Sequence, residues 1–178
     1  MLRQMLLLGS CLLGLVGCNQ HSASPTQTTK QVTAGEIGSS LPDFRVNDLQ
    51  GHSLSSGNLR GKVVLVNFWA TWCQPCKKEM PGYQSLADRY ASQGFIVIGF
   101  KFETMPDVED PLQFANGIGV HYPLAVATDD LKQRFGGIEG LPTTLIYDRK
   151  GLLRVKVMGF EYTDKIESEL KPLLAPYS

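Results

Sequence analysis

The chain predicts an α/β sandwich, a mixed β-sheet with helices on both faces. Three observations carry that reading. Val63–Trp69 (VVLVNFW) and Phe95–Phe100 (FIVIGF) are continuous apolar, β-branched runs, the pattern of strands buried on both faces. The residues between them recur at helical spacing. Near the C-terminus, Asp148-Arg149-Lys150-Gly151 separates two further strand-like runs with turn chemistry, which folds them into an antiparallel hairpin.

Taken in order, Phe44 to Asn47 alternates apolar and polar residues and reads as an edge strand. Asp48 to Gly51 is a turn, and His52 to Leu54 returns as a short partner. After the first buried strand, a helix is predicted from about Cys73 to Ser92, with Met80, Tyr83, Leu86, Ala87 and Tyr90 on one apolar face. Pro81 lies inside it and should kink it, because proline has no N–H for the ladder. Gly94 ends the helix, and Phe95 to Phe100 forms the second buried strand. Lys101 to Asp107 is a loop. Val108 to Asn116 suits a helix with Pro111 in its first turn. Leu124 to Val126 is a short apolar stretch, and Asp129 to Phe135 a short helix. Thr143 to Tyr147 and Leu152 to Met158 are the hairpin strands. Thr163 to Leu174 closes the chain as an amphipathic helix with Ile166, Leu170, Leu173 and Leu174 on its apolar side.

The chain has 178 residues, room for one ordinary domain. Its 17 basic and 17 acidic residues balance, so it lacks the basic excess that nucleic acid requires. No apolar run reaches the roughly 18 residues of a membrane-spanning helix. The N-terminus is a targeting segment. Arg3 precedes the apolar run Met5 to Val16, and small residues follow, as in a secretory signal. Leu15-Val16-Gly17-Cys18 resembles the lipobox of bacterial lipoproteins. That resemblance implies cleavage before Cys18 and attachment of a diacylglycerol to its sulfur. Residues 1–17 are then a lipoprotein signal peptide, and the protein is extracytoplasmic and lipid-anchored. Asn19 stands where diderm bacteria place an aspartate for inner-membrane retention, which leans toward the outer membrane. Residues 18–35 are polar, rich in Ser, Thr and Gln, and form a flexible tether. Residues 36–178 form the domain.

The chemistry lies in Trp72-Cys73-Gln74-Pro75-Cys76, directly after the first buried strand. A helix that begins near Cys73 places this thiol among unpaired N–H groups at the positive end of a helix dipole. Both favour thiolate. A free thiol titrates at about 8.5, and such sites lower it to roughly 3.5–7.5. Cys76 lies almost one turn later, beside Cys73 and more buried. Cys73 is therefore the expected attacking thiolate on a partner's disulfide. Cys76 then attacks Cys73 and releases the reduced partner, and the pair is left oxidised. A structural disulfide over so short a loop constrains little. A structural zinc needs four ligands. With Cys11 removed and Cys18 lipidated, one CxxC and the scattered His21, His52 and His121 do not supply them. No metal site is expected, and no cofactor beyond the redox-active disulfide Cys73–Cys76.

The stretch from Val63 to Met80 (VVLVNFWATWCQPCKKEM), with Gly140-Leu141-Pro142-Thr143-Thr144, resembles the thioredoxin superfamily. More narrowly, it resembles the extracytoplasmic TlpA/ResA-like thiol–disulfide oxidoreductases. The likeness runs roughly from Gly35 to Leu174 and implies a thioredoxin-like three-layer sandwich. It implies that the Leu141–Pro142 bond is cis and faces the cysteines, which leaves the Leu141 backbone free to pair with an extended client segment. Trp72, Gln74 and Pro75 are then client-contacting positions beside Leu141. It further implies that Glu79 lies near the disulfide and tunes the thiols, because an ionised carboxylate raises thiol pKa and is a base for Cys76. Cytoplasmic thioredoxins carry a buried aspartate six residues before the first cysteine, where this chain has Asn67. Lys77 and Lys78 read as solvent-facing, with electrostatic support of the thiolate as their alternative role, and Glu139 as a candidate partner contact.

By the same resemblance, the protein is a monomeric, membrane-anchored reductase of partner disulfides. Its clients include apocytochrome c with haem-attachment cysteines, and its electrons come from a membrane thiol donor. An oxidase or isomerase is the rival within the enzyme class. A thioredoxin-like copper chaperone is the rival outside it, although those space their cysteines by three residues. A peroxidase site wants threonine three residues before the cysteine, where Ala70 stands beside Thr71.

Overall fold

The computed structural model describes residues 34–103, 105–107 and 109–175. The expected signal peptide, Cys18, His21 and nearly all of the expected tether lie outside the described residues. The elements are β1 (Arg45–Asn47), β2 (Ser53–Ser55), β3 (Val63–Trp69), α1 (Gln74–Tyr90), β4 (Phe95–Lys101), α2 (Pro111–Gly117), β5 (Leu124–Val126), α3 (Asp129–Arg134), β6 (Thr143–Tyr147), β7 (Leu153–Met158) and α4 (Thr163–Leu174).

The main sheet has the order β5-β4-β3-β6-β7. β3 is parallel to β4 and antiparallel to β6, so it sits at the centre, and every one of its residues is buried. That is why its sequence shows no alternation. Its two faces nevertheless differ. Phe68 joins Phe100, Phe102 and Phe135 on one side, with ring centroids 5.4–6.0 Å apart. Asn67 turns the other way, to α1, and the Trp69 ring on that side stacks on Phe114 of α2.

The expected edge strand and its short partner are present, β1 pairing with β2 in an antiparallel hairpin apart from the main sheet, which an Asp48–Ala125 bridge ties to β5. Asp48 builds its turn by accepting from the Gln50 and His52 amides.

The helices start where the chain supplies caps. Asp110 accepts from the Gln113 amide at the start of α2, and Thr128 from the Leu131 amide at the start of α3. Each such cap is worth about 1 kcal/mol. α1 runs unbroken through Pro81. Asp148 folds the β6–β7 hairpin by accepting from the Lys150 and Leu152 amides and pairing with Arg154 at 2.7 Å. Gly35, the last residue of the expected tether, is buried and has φ 78°. It approaches Gly136 so closely that a Cβ on either would lie under 3 Å from the other's Cα. The packed domain therefore takes in Gly35. No helix among the described residues is long and apolar enough to cross a membrane.

Candidate active site

β3 ends at Trp69, and the chain then turns tightly, with the Cys73 amide donating to the Ala70 carbonyl at 3.1 Å. Cys73 is the N-cap of α1: its Sγ accepts from the Cys76 amide at 3.3 Å. The sulfur thus occupies the place of a capping oxygen, where helix N–H groups favour negative charge. Cys73 and Cys76 form a disulfide. Gln74 and Pro75, the first helical residues, are exposed beside it, and Trp72 is half-buried against the core.

The second part of the site is the loop before β6. The Leu141–Pro142 bond is cis. Thr143 pairs with Phe68 in register, which brings this loop to the end of β3 from which the cysteine segment departs. Pro142 is buried and its carbonyl accepts from the Gly159 amide at 2.8 Å. Among the described residues no hydrogen bond takes up the Leu141 backbone N–H or C=O. Glu139 is exposed. Past Gly159, Met158, Phe160 and Tyr162 form an exposed apolar border, with the two rings edge to face at 5.1 Å. Sequence reading missed this border. Its signal was an apolar residue at the end of a strand that otherwise alternates charge.

The third part lies beneath. Glu79 is 1% exposed, with no trace of a solvated helix glutamate. Its Oε1 accepts from Asn67 Nδ2 at 2.7 Å, and Asn67 Nδ2 also reaches Thr144 Oγ1 at 3.2 Å. Burial pushes the Glu79 carboxyl from 4.5 up to about 7, although Asn67, Tyr83 and the Glu161 backbone pull it back. Among the described residues no donor meets its Oε2 with the geometry of a full hydrogen bond, so Tyr83 and the Glu161 backbone act on the carboxyl only from longer range. A carboxyl with this value is poised to accept or release a proton near neutrality.

Lys77 departs from the solvent-facing expectation. Its Nζ lies 4.6 Å over the Phe114 ring and 3.2 Å from Glu109, only 22% exposed. Lys78 is exposed. Two residues that sequence reading passed over also flank the cysteines. Asp107 accepts from Thr71 Oγ1 at 2.9 Å and pairs at 2.7 Å with Lys101, whose side chain is buried at the end of β4. Only the register of Trp69 against Lys101 reveals that closeness. His52 bonds with Asp48, and among the described residues no three His, Cys, Asp or Glu side chains group as a metal site.

Comparison with known proteins agrees with this geometry. The family model described as AhpC/TSA matches residues 37–156. The thiol-disulfide oxidoreductase ResA of Geobacillus kaustophilus is 34% identical over 142 residues, which cover 79% of this chain and 80% of that protein. The thioredoxin-like protein YneN of Bacillus subtilis is 32% identical over 165 residues, 92% of this chain and 95% of that one. Among solved structures, a thioredoxin-family thiol:disulfide interchange protein of Chlorobium tepidum superposes with a TM-score of 0.70 at 30% identity, covering 80% of this chain and all of that one. The family match runs through both halves of the site, from the β3–α1 junction to the Leu141–Pro142 loop, and on it the chain belongs to the AhpC/TSA family, as a thioredoxin-like thiol–disulfide oxidoreductase.

Proposed function

We propose that the protein is a lipid-anchored, extracytoplasmic reductase of partner-protein disulfides. Cys73 attacks a client disulfide and Cys76 resolves the mixed disulfide, while Glu79 holds the proton that Cys76 must lose. The client lies extended along the Leu141 backbone, between Trp72, Gln74 and Pro75 on one side and Met158, Phe160 and Tyr162 on the other. The observation that carries this reading is the Cys73–Cys76 disulfide at the start of α1, with Cys73 Sγ already held by a helix N–H. Clients with closely spaced cysteines, such as apocytochrome c before haem attachment, suit a disulfide bordered by the exposed Gln74 and Pro75. Electrons return through a membrane thiol donor, and the protein works as a monomer.

Replacing Cys76 with Ser tests the reading. The variant should accumulate mixed disulfides on Cys73 in the native cell envelope, identifiable by mass spectrometry. The matching Cys73→Ser variant should capture none. Capture by Cys73→Ser and none by Cys76→Ser would reverse the roles of the two cysteines, and equal capture would mean that neither is the dedicated attacker. The anchor is tested separately. Mass spectrometry of the native protein should find Cys18 as an acylated N-terminus, and Cys18→Ala should release the protein from membranes. Two or three acyl chains hold a protein firmly where one does not.

A further inference from the structure

Four buried polar side chains from three elements meet around Glu79, three residues after Cys76 on α1. Asn67 lies on β3, Glu79 and Tyr83 on α1, and Thr144 on β6. They are linked as Glu79 Oε1 to Asn67 Nδ2 at 2.7 Å, Asn67 Nδ2 to Thr144 Oγ1 at 3.2 Å, and Thr144 Oγ1 to Tyr83 OH at 3.0 Å. All four side chains are at most 1% exposed. Burying so many polar groups in an apolar core is costly unless each keeps a partner. Here that requirement has a special form, because one of the four gains and loses a proton.

An ionised Glu79 only accepts, and the Asn67 amide meets it with a donor. A protonated Glu79 gains one O–H donor and keeps one acceptor oxygen, and with the proton on Oε1 the Asn67 N–H opposes it. The Asn67 amide is able to serve both states, because a half-turn about its last bond exchanges Oδ1 for Nδ2. In the present orientation Oδ1 has no partner among the described residues. After the half-turn, Oδ1 takes the Glu79 proton and also the Thr144 hydroxyl, and Thr144 takes the Tyr83 hydroxyl in turn. The Thr144–Tyr83 bond permits either direction of donation. An aspartate at position 67 would not do this, because an ionised aspartate offers no donor and would repel the ionised Glu79.

We propose that Asn67, Thr144 and Tyr83 form a reversible hydrogen-bond chain that holds Glu79 in place in both its proton states, so that it serves as the proton acceptor for Cys76. This rests on the reading of Glu79 given above and adds three positioning residues to it. In the step concerned, the Cys76 thiol gives its proton to the Glu79 carboxylate. The Cys76 sulfur then bonds to Cys73 Sγ, the bond from Cys73 to the client sulfur breaks, and the client leaves as thiolate. No oxidant or reductant is needed beyond the client disulfide itself.

The groups facing the carboxyl come from every neighbouring element. They are Tyr83 on α1, Asn67 on β3, Tyr122 before β5 and the Glu161 backbone before α4, while Thr144 on β6 reaches it through Asn67 and Cys76 stands three residues before it on α1. Burial and the Glu79 charge both hold the Tyr83 phenol protonated, so it stays a donor throughout the working range. Lys77 is drawn away to Glu109 and Phe114.

The test is the pH profile of mixed-disulfide resolution, with a fluorescent peptide disulfide, in the full chain. The wild type should show a limb near pH 7, and Glu79→Gln should lose it. Thr144→Val keeps the shape and removes the hydroxyl. It should move the limb upward by about half a pH unit, because the amide is no longer held toward the carboxylate. Tyr83→Phe should move it in the same direction, and Thr144→Ser should restore the wild-type midpoint. In the Glu79→Gln background, Thr144→Val should change nothing further. An unmoved limb in Thr144→Val and Tyr83→Phe overturns the chain while leaving Glu79 its role. Loss of no limb in Glu79→Gln overturns both. Infrared difference spectra of the protonated carboxyl provide a readout independent of activity. The Glu79 band should shift frequency in Thr144→Val, and an unshifted band counts against the chain.

Discussion

Cys73 and Cys76 are both nearly buried, at 4% and 0% exposed, so solvent access separates them only slightly. Position separates them more. Cys73 caps α1, while Cys76 lies within its first turn, so the helix N–H groups stabilise one thiolate and not the other. In the reduced protein at neutral pH, iodoacetamide should therefore label Cys73 faster than Cys76 by about tenfold or more. Equal rates would mean that the cap does not set reactivity. The cysteine pair was legible because its chemistry is spelled out in five consecutive residues. The burial of Glu79 was not. It stands after Lys77 and Lys78 in a run that reads as a wet helix face, and its partner Asn67 is 12 residues back on another element. Lys77 misleads in the same way, because only the long-range approach of Phe114 takes its stem out of water.

At the scale of elements, local pattern found the strands and helices because their lengths and periods are set by the chain itself. It found the partners within the two hairpins, β1 with β2 and β6 with β7, but not the order of the main sheet. The alternation from Phe44 to Asn47 marks a strand correctly but says nothing about which sheet receives it. That is decided by Asp48 meeting Ala125 on β5. The junction of β3, β4 and β5 shows how tightly such pairing constrains side chains. Gly99 on β4 is adjacent to Leu124 on β5, and a Cβ there would stand 2.4 Å from a Leu124 methyl and 3.1 Å from Trp69 Nε1. The leucine methyl is able to rotate, but the indole is stacked on Phe114 and has little room. Replacing Gly99 with Ala should thus cost about 1–2 kcal/mol net, the overpacking penalty less the entropy that alanine recovers from the unfolded chain. Denaturant midpoints would measure it. A stabilised variant would show that Trp69 and Leu124 yield freely.

At the scale of the whole molecule, the buried carboxyl couples folding to pH. An unfolded Glu79 titrates at 4.5 and the folded one at about 7, so the folded state binds the proton more tightly. Its contribution to stability is fully present below pH 4.5 and is lost as pH rises through 7. At about 1.4 kcal/mol per pH unit, the loss over that interval is about 3 kcal/mol. Asp148 runs the other way. Burial raises it, but the Leu152 and Lys150 amides and Arg154 outweigh that and hold it below 3.8. Glu167 is also lowered, by Tyr90 and Arg89. Groups lowered in the folded state lend stability above the ordinary carboxylate range and lose it in acid. The oxidised protein should therefore be most stable near pH 5 and weaken toward pH 8, even though most of its carboxylates are then ionised and paired. Replacing Glu79 with Gln keeps the shape and removes the proton, so it should flatten the decline between pH 5 and 8 and leave the acid limb unchanged. Chemical denaturation at half-unit pH intervals would show the difference. Parallel curves for the two proteins would mean that the carboxyl is not held protonated, and the case for Glu79 as the proton acceptor for Cys76 would fall with it.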